Sequence, residues 1–288
     1  MTIAAGFVCL DGVVLCADTR ETISGYTKTN TEKIRIWGDQ GLGIAITGAG
    51  NAESIETVGK LIQEALTWQY QPNILRFPKE VRQIIQDTFL RFFLKHITPY
   101  AEFPAHERPE VELLIAVSVA NEVNTYDCLF KASGTTVREI EMGADCIGTG
   151  VILAKSLIEK LYSPGMGLDE LVIAACYILG EAKRWVDGCG GNTDLLVASF
   201  KHNTFVSLPS AEIRVLEDHF EELNRPISEI IIGFPNPNLS TKEFERAANK
   251  SQKWMGGKRD QMFSKGSRFF ELLERLKTKP PRSKSDPH

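Results

Sequence analysis

The order of its apolar patterns constrains the fold of this chain most strongly. Short apolar runs typical of strands occupy the first 50 residues, two segments with apolar residues at helical spacing follow, and then strands, two helices and a final strand. The strand segments are residues 3–10, 13–19, 33–37, 42–47, 111–120, 125–132, 137–142 and 193–200, and the helices begin near residues 51, 78, 150 and 171. This segregated order predicts an α+β fold in which pairs of helices pack on antiparallel sheets, not a doubly wound parallel sheet.

The first two strand segments are separated by Asp11-Gly12. This dipeptide is typical of a two-residue hairpin turn that needs positive φ. The chain therefore opens with a β-hairpin, and its first residues belong to a sheet. At the first helix, Asn51 is a favourable N-cap.

Thr2 follows Met1 directly, at the mouth of this hairpin. If Met1 is removed, one residue carries both a hydroxyl nucleophile and a free α-amine, the combination that N-terminal threonine hydrolases use. A free α-amine titrates at about 7.7–8.0, so it can accept the hydroxyl proton near neutral pH. Thr2 is therefore a candidate nucleophile.

Four motifs in order extend this interpretation: Thr2-Ile-Ala-Ala-Gly, Asp-Gly-Val-Val-Leu-Cys-Ala-Asp18-Thr-Arg, Glu-Lys33-Ile and Gly-Ala-Gly50. Together they resemble the catalytic β subunits of the 20S proteasome, a family related to the bacterial peptidase HslV. The resemblance covers roughly residues 2–205. It implies a four-layer αββα sandwich of the N-terminal-nucleophile hydrolase type for residues 1–205 and says nothing about the rest. From the residue pattern we expect residues 206–288 to form a mainly helical C-terminal extension.

The resemblance also implies roles for residues around Thr2. Asp18 and Lys33 match the charged pair beside the nucleophile, with Lys33 one residue earlier than in the family. Gly50 matches the glycine whose backbone N–H forms the oxyanion hole, and its place before the Asn51 N-cap suits an anion.

A second set of residues matches the supporting shell less closely. Thr149, in Gly-Thr-Gly, takes the place of a serine that contacts the terminal amine. In Asp187-Gly-Cys189-Gly-Gly, Cys189 replaces a serine and Asp187 lies one residue closer than in the family. A thiol is a poorer hydrogen-bond partner than a hydroxyl. A helix-capping role for Cys189 is the alternative to a catalytic one.

Three positions match the family's specificity pocket: Gly48, Ala52 and Glu56. An acidic wall at Glu56 behind the small Gly48 predicts a preference for basic residues before the cut. The alternative role for Glu56 is an interaction with the helix dipole in the first turns of the helix.

The charge is unevenly distributed along the chain. Residues 241–288 hold 13 Lys and Arg against 6 Asp and Glu, a net +7, which leaves −11 for residues 1–240 in a chain of net −4. We expect this basic segment to lie on the body or on a neighbouring subunit, and we expect no nucleic acid. Helices are predicted over 241–253 and 260–277, with a disordered end at 280–288 and, before them, a loop-like region punctuated by Pro209, Pro226, Pro235 and Pro237.

The remaining composition excludes several classes of protein. The six cysteines are scattered, which argues against a zinc site or a disulfide framework, and no phosphate-binding loop is found, so we expect no metal and no cofactor. The absence of a long apolar run predicts no membrane segment, and we expect a cytoplasmic protein. Any ATP dependence would require a separate ATPase or activator.

These observations lead to one principal hypothesis. The chain is a threonine endopeptidase that cleaves peptides or unfolded protein inside a homo-oligomeric ring or spiral. Two alternatives remain: an acylase of the same class that acts on a small amide, and a noncatalytic structural or partner-binding subunit in which Met1 is retained.

Overall fold

The computed structural model describes residues 2–23, 27–39, 41–70, 77–104, 108–120, 125–199, 204–235, 240–264 and 271. The chain forms two compact units, residues 1–210 and 211–288. The assignment of residues 1–205 to a hydrolase domain stays a prediction. The described secondary structure is α+β, with three sheets and six α-helices.

The first unit contains a five-stranded sheet in which every neighbouring pair is antiparallel. Its order is β10-β1-β2-β11-β12, with β1 at Ile3–Cys9, β2 at Gly12–Asp18, β10 at Ala144–Gly148, β11 at Thr193–Ser199 and β12 at Thr204–Leu208. Strands β1 and β2 form the hairpin that Asp11-Gly12 predicts, and their residues are buried throughout. The strand that begins directly after Thr2 thus lies inside the sheet.

A second five-stranded antiparallel sheet follows the chain order β5-β6-β7-β8-β9. Its strands are β5 at Arg35–Asp39, β6 at Leu42–Gly50, β7 at Val111–Ala120, β8 at Thr125–Ser133 and β9 at Thr136–Glu139. A separate two-stranded ribbon joins β3, Arg20–Ile23, to β4, Thr27–Asn30. The sequence does not reveal this ribbon, because its strands are mostly polar and show no apolar alternation.

Each large sheet carries a pair of helices. Helices α1 (Ala52–Gln69) and α2 (Pro78–His96) contact the second sheet, whereas α3 (Val151–Leu161) and α4 (Leu168–Trp185) contact the first. The side chain of Asn51 caps α1 by accepting a hydrogen bond from the Ser54 N–H at 2.9 Å. The helix pairs predicted from sequence are therefore present, and α2 begins at the predicted residue, Pro78.

The two sheets share a core. Small and aliphatic side chains from both sheets meet there, among them Ala4 and Leu15 of the first and Leu114 and Leu129 of the second. Asp127 is also buried in the second sheet, opposite Ser118 on the neighbouring strand, and within the described residues neither carboxylate oxygen has a hydrogen-bond partner. Burial raises the pKa of Asp127 to about 6.

The second unit is helical in its described part. Helix α5 spans Ser210–Gly233 and helix α6 spans Thr241–Phe263. The prediction of a loop-like region here was wrong, because Pro226 lies inside α5. Apolar residues recur at helical spacing over residues 213–223, and a helix can tolerate one proline at a cost of about 3 kcal/mol when such a stripe favours it.

Two other predictions concern the end of the chain. Helix α6 continues ten residues beyond the predicted end at 253, through Gly256 and Gly257. Most of the predicted helix 260–277 and all of the predicted disordered segment 280–288 lie outside the described residues. Within the described part of the chain, no helix combines the length and apolar character needed to cross a membrane.

Candidate active site

Thr2 lies at the entrance to β1, and its hydroxyl contacts a lysine. The Lys33 ammonium donates a hydrogen bond to Thr2 Oγ1 at 2.8 Å. Thr2 is mostly buried but borders an open cleft. The hydroxyl is thus fixed beside a positive charge at the edge of accessible space.

Asp18 is the centre of the hydrogen-bond network behind Thr2. Its carboxylate is fully buried and accepts hydrogen bonds from Lys33 Nζ at 2.8 Å, the Ile3 N–H at 3.1 Å and the Gly190 N–H at 2.9 Å. A buried carboxylate needs such partners, since an unpaired charge in the interior is costly. Asp18 therefore holds Lys33, strand β1 and the loop after α4 together.

Lys33 lies just before β5 and is held at both ends. Its ammonium donates to the Arg20 carbonyl oxygen as well as to Thr2 and Asp18, so all three donors of the ammonium are used. Its backbone N–H donates to the Asp194 carboxylate at 3.0 Å. Burial raises the pKa of Asp194. Asp194 is not among the site residues predicted from the sequence, where its only signal is a polar residue near the start of an apolar strand.

Gly50 ends β6 and opens onto the cleft. The Asn51 N–H donates to the Glu110 carbonyl oxygen at 2.8 Å, so by the alternation of an antiparallel ladder the Gly50 N–H points away from β7. On the opposite side of β6 lies β5, which pairs with β6 only as far as Ile46. The Gly50 N–H therefore lies beyond the end of the pairing between β5 and β6. Gly50 has φ of +118°, and a Cβ there would lie 1.9 Å from the Glu110 oxygen, so only glycine fits.

The turn before α3 reaches Thr2 through its backbone. The Thr149 N–H donates to the Thr2 carbonyl oxygen at 2.8 Å, while the Thr149 residue is exposed. Gly148 has φ of +91° and packs so closely that a Cβ would lie 2.2 Å from the same oxygen. The structure thus brings Thr149 to Thr2, by its N–H and not by a hydroxyl contact.

The two predicted site residues in the loop after α4 lie in different environments. Cys189 is buried, and its carbonyl accepts a hydrogen bond from the Arg20 guanidinium at 2.9 Å. Burial, with the nearby Asp18 charge, raises the pKa of the Cys189 thiol to about 11, so the thiol is neutral at neutral pH. Asp187 is exposed, and among the described residues it makes no hydrogen bond to Thr2, Asp18 or Lys33.

The cleft beside Thr2 has a volume of about 720 Å³. It lies along α1, and the three residues predicted to bind substrate, Gly48, Ala52 and Glu56, all line it together with Gly50. Ile55 covers Gly48, since a Cβ at Gly48 would lie 2.6 Å from Ile55 Cγ2. A groove of about 930 Å³ between α1 and α2 contains none of the predicted site residues, so we place the candidate site at the smaller cleft.

The two antiparallel sheets with their paired helices form a proteasome-like fold, as comparison with solved structures shows. Solved structures of similar fold include those of Anbu proteins. The Anbu (ancestral beta-subunit) of Yersinia bercovieri has a TM-score of 0.62 and 14% sequence identity, over 83% of this chain and 99% of that chain.

Two further Anbu structures show the same likeness. An Anbu (Gly-1) mutant from Hyphomicrobium sp. strain MC1 has a TM-score of 0.62 at 16% identity, over 80% of this chain and 97% of that chain. The helical assembly of the Anbu complex from Pseudomonas aeruginosa has a TM-score of 0.62 at 12% identity, over 83% of this chain and 99% of that chain. No family model and no curated protein matches the chain. At these identities the likeness shows the fold.

Proposed function

We propose that this protein is a threonine endopeptidase in which removal of Met1 exposes Thr2 as the nucleophile. One observation carries the proposal: the Lys33 ammonium lies 2.8 Å from both Thr2 Oγ1 and Asp18 Oδ1. A cation held against a hydroxyl by a buried carboxylate stabilises the alkoxide that forms during attack.

The proposed mechanism uses groups of this chain alone. Thr2 Oγ1 attacks the substrate carbonyl carbon as the freed α-amine of Thr2 takes the hydroxyl proton. The Gly50 N–H donates to the oxyanion, and the amine then gives its proton to the leaving nitrogen as the peptide bond breaks. Water hydrolyses the resulting ester and regenerates the Thr2 hydroxyl. Asp18 positions Lys33 throughout and exchanges no proton.

The architecture and assembly belong to the same proposal. The two helix pairs and two sheets are interpreted as a four-layer αββα sandwich that extends over residues 1–205, with residues 206–288 as an extension. We propose a homo-oligomer in the cytoplasm, supported by the helical assembly formed by the Anbu complex of Pseudomonas aeruginosa. The substrate is a peptide or unfolded protein, delivered in the cell by a separate ATPase or activator.

A noncatalytic proteasome-like subunit is the second candidate. The exposure of Asp187 favours it, because the carboxylate expected to support the amine of Thr2 makes no hydrogen bond to Thr2 among the described residues. A small-amide acylase shares the nucleophile with the peptidase and differs in the substrate alone.

Intact mass and hydrolysis distinguish these functions. The peptidase requires a mature chain that begins at Thr2, and hydrolysis of fluorogenic peptides that is lost in Thr2→Ala. Hydrolysis of small N-acyl amides without peptide hydrolysis would support the acylase. A retained Met1, or equal rates for wild type and Thr2→Ala, would exclude the peptidase and leave the noncatalytic subunit.

A further inference from the structure

Strand β10 lies at the outer edge of the first sheet, and its last residue leads into the turn that holds Thr2. Among the described strands its neighbour is β1, with Ile3 opposite Gly148. The Thr149 N–H points towards β1, since it donates to the Thr2 carbonyl oxygen. Because N–H groups alternate in direction along a strand, those of Cys146 and Gly148 point away from β1. These two outer N–H groups need other acceptors.

Side chains supply the partners for this outer edge. Glu112 Oε2 accepts a hydrogen bond from the Gly148 N–H at 3.3 Å, and Asp145 Oδ1 accepts one from the Cys146 N–H at 2.8 Å. The Lys131 ammonium donates to the Cys146 carbonyl oxygen at 3.0 Å. The same ammonium lies 3.4 Å from the Asp145 carboxylate and 4.0 Å from the Glu112 carboxylate. One connected network thus holds the outer backbone groups of β10.

Glu112 reaches this edge from the second sheet. It lies on β7, two residues before Leu114 and opposite Ser133 of β8. Residues two apart on a strand share a face, and Leu114 lies in the core between the sheets, so Glu112 faces the gap between the sheets beside that core. The Ser133 hydroxyl donates to Glu112 Oε1 at 3.2 Å and fixes the orientation of the carboxylate. A carboxylate on this face is unfavourable without such partners, so its contact with Gly148 explains the residue type better than packing does.

The turn after β10 matters most to Thr2 once Met1 is removed. The preceding peptide then no longer holds the residue. Among the described contacts, the Lys33 ammonium holds its hydroxyl and the Thr149 N–H holds its carbonyl oxygen. A shift of the turn would move the Thr2 carbonyl, and the α-amine with it, relative to the lysine. A displacement of about 1 Å in a catalytic group can cost about 100-fold in rate.

We infer that Glu112 is a positioning residue for Thr2. Its carboxylate holds the Gly148 N–H and thereby fixes the Thr149 N–H against the Thr2 carbonyl oxygen. This inference rests on the proposed peptidase function. The task is geometric and involves no proton transfer, so it requires an acceptor atom at position 112 and no charge.

Two substitutions of similar size separate the acceptor from the charge. Glu112→Gln and Glu112→Leu both remove the charge, but only glutamine keeps an oxygen that can accept from the Gly148 N–H. With a fluorogenic peptide we expect Glu112→Leu to lower kcat by about tenfold or more with KM within about twofold, and Glu112→Gln to keep kcat within about threefold of wild type. Equal kcat values in these two variants overturn the inference.

Two further variants control for bulk and for general effects on this region. Glu112→Ala removes the acceptor and adds no bulk, so it should lower kcat as Glu112→Leu does. Glu159→Leu changes an exposed glutamate of α3, the helix that follows the turn, and should leave kcat within about twofold of wild type. A loss of kcat in Glu159→Leu as large as that in Glu112→Leu overturns the specific role of Glu112.

Hydrogen exchange separates this inference from the proposed catalysis. Single amides are followed by mass spectrometry in the Thr2→Ala background, where no hydrolysis is needed. We expect Glu112→Leu to reduce protection of the Thr149 amide by about tenfold relative to Glu112→Gln. The Asn51 amide, which donates to the Glu110 carbonyl oxygen, should keep its protection within about threefold. Lost protection at Thr149 supports the inference even if wild type hydrolyses nothing and the peptidase proposal fails. Unchanged protection there overturns it, even if wild type hydrolyses peptides.

Discussion

Lys33→Met tests how much of the stability depends on the charged pair behind Thr2. The substitution keeps most of the aliphatic stem and removes the ammonium. It leaves the fully buried Asp18 carboxylate with two backbone donors, Ile3 N–H and Gly190 N–H, and without its cation. The folded state must then hold an uncompensated negative charge, which the unfolded state exposes to water.

The size of the effect follows from the geometry. At 2.8 Å, two unit charges attract by about 6 kcal/mol at an effective dielectric constant of 20, which is a ceiling because it omits desolvation. Removing one partner of a buried pair typically costs about 3–5 kcal/mol. For a unit of this size each kcal/mol lowers the melting temperature by about 2–4 °C, so we expect Lys33→Met to melt about 6–20 °C lower.

Thermal and urea unfolding followed by circular dichroism measure this loss. Lys79→Met is the matched control, since Lys79 pairs with Glu80 at 3.7 Å with 74% of its side chain exposed, and it should change stability by less than about 0.5 kcal/mol. In the double variant Asp18→Asn/Lys33→Met the loss should be smaller than the sum of the single losses by about 2 kcal/mol or more. Additive losses, or a single loss below about 1 kcal/mol, would refute a buried, coupled pair.

Three other predictions concern separate sites. The pKa of Asp127 is about 6 in the folded protein and about 3.9 in the unfolded chain, so the folded state binds the proton more tightly. The protonated carboxyl therefore contributes to the free energy of unfolding fully below about pH 4, and this contribution disappears as the pH rises through 6. We therefore expect the free energy of unfolding of Asp127→Asn, measured by urea titration, to rise relative to that of wild type by up to about 3 kcal/mol between pH 4 and 7. A difference between the two proteins that does not change with pH would contradict this. Gly50→Ala places a Cβ 1.9 Å from the Glu110 oxygen, so we expect distorted geometry and loss of peptide hydrolysis, whereas a fully active variant would exclude Gly50 as an oxyanion donor. All six cysteines are buried, so Ellman's reagent should titrate fewer than one thiol per native chain and six in denaturant, and rapid native reaction would show an open core.

The sequence determines most elements of the first unit, because their signals are local. The hairpin depends on Asp11-Gly12, and α1 depends on the Asn51 cap and an apolar stripe. Strand β10 was not predicted, because the five residues between Gly143 and Thr149 form a segment too short to show a periodic pattern. Its partner strand, β1, is also far away in the sequence. Helix α5 was missed because Pro226 was given more weight than the apolar spacing around it.

The residues of the candidate site could be predicted where a side chain in a local motif itself indicates the role. Thr2, Asp18 and Lys33 follow from their motifs, and the structure places them in one hydrogen-bond network. The contributions of Asp194 and Gly190 could not be predicted, because both act through contacts between segments more than 150 residues apart. Their positions depend on strand register and loop path, which no local pattern encodes.

Asp18 connects residues that are far apart in the sequence, and this has a consequence for biosynthesis. Asp18 joins Ile3 to Gly190, so the two ends of this network leave the ribosome at different times. At synthesis rates of 5–20 residues per second, Gly190 follows Ile3 by about 10–40 s. During that interval the nascent chain contains the threonine without the loop that completes the network. A truncated or stalled chain therefore lacks the complete hydrogen-bond network around Asp18, and the proposed reactivity of Thr2 requires that at least the first two thirds of the chain, through Gly190, has been synthesised and folded.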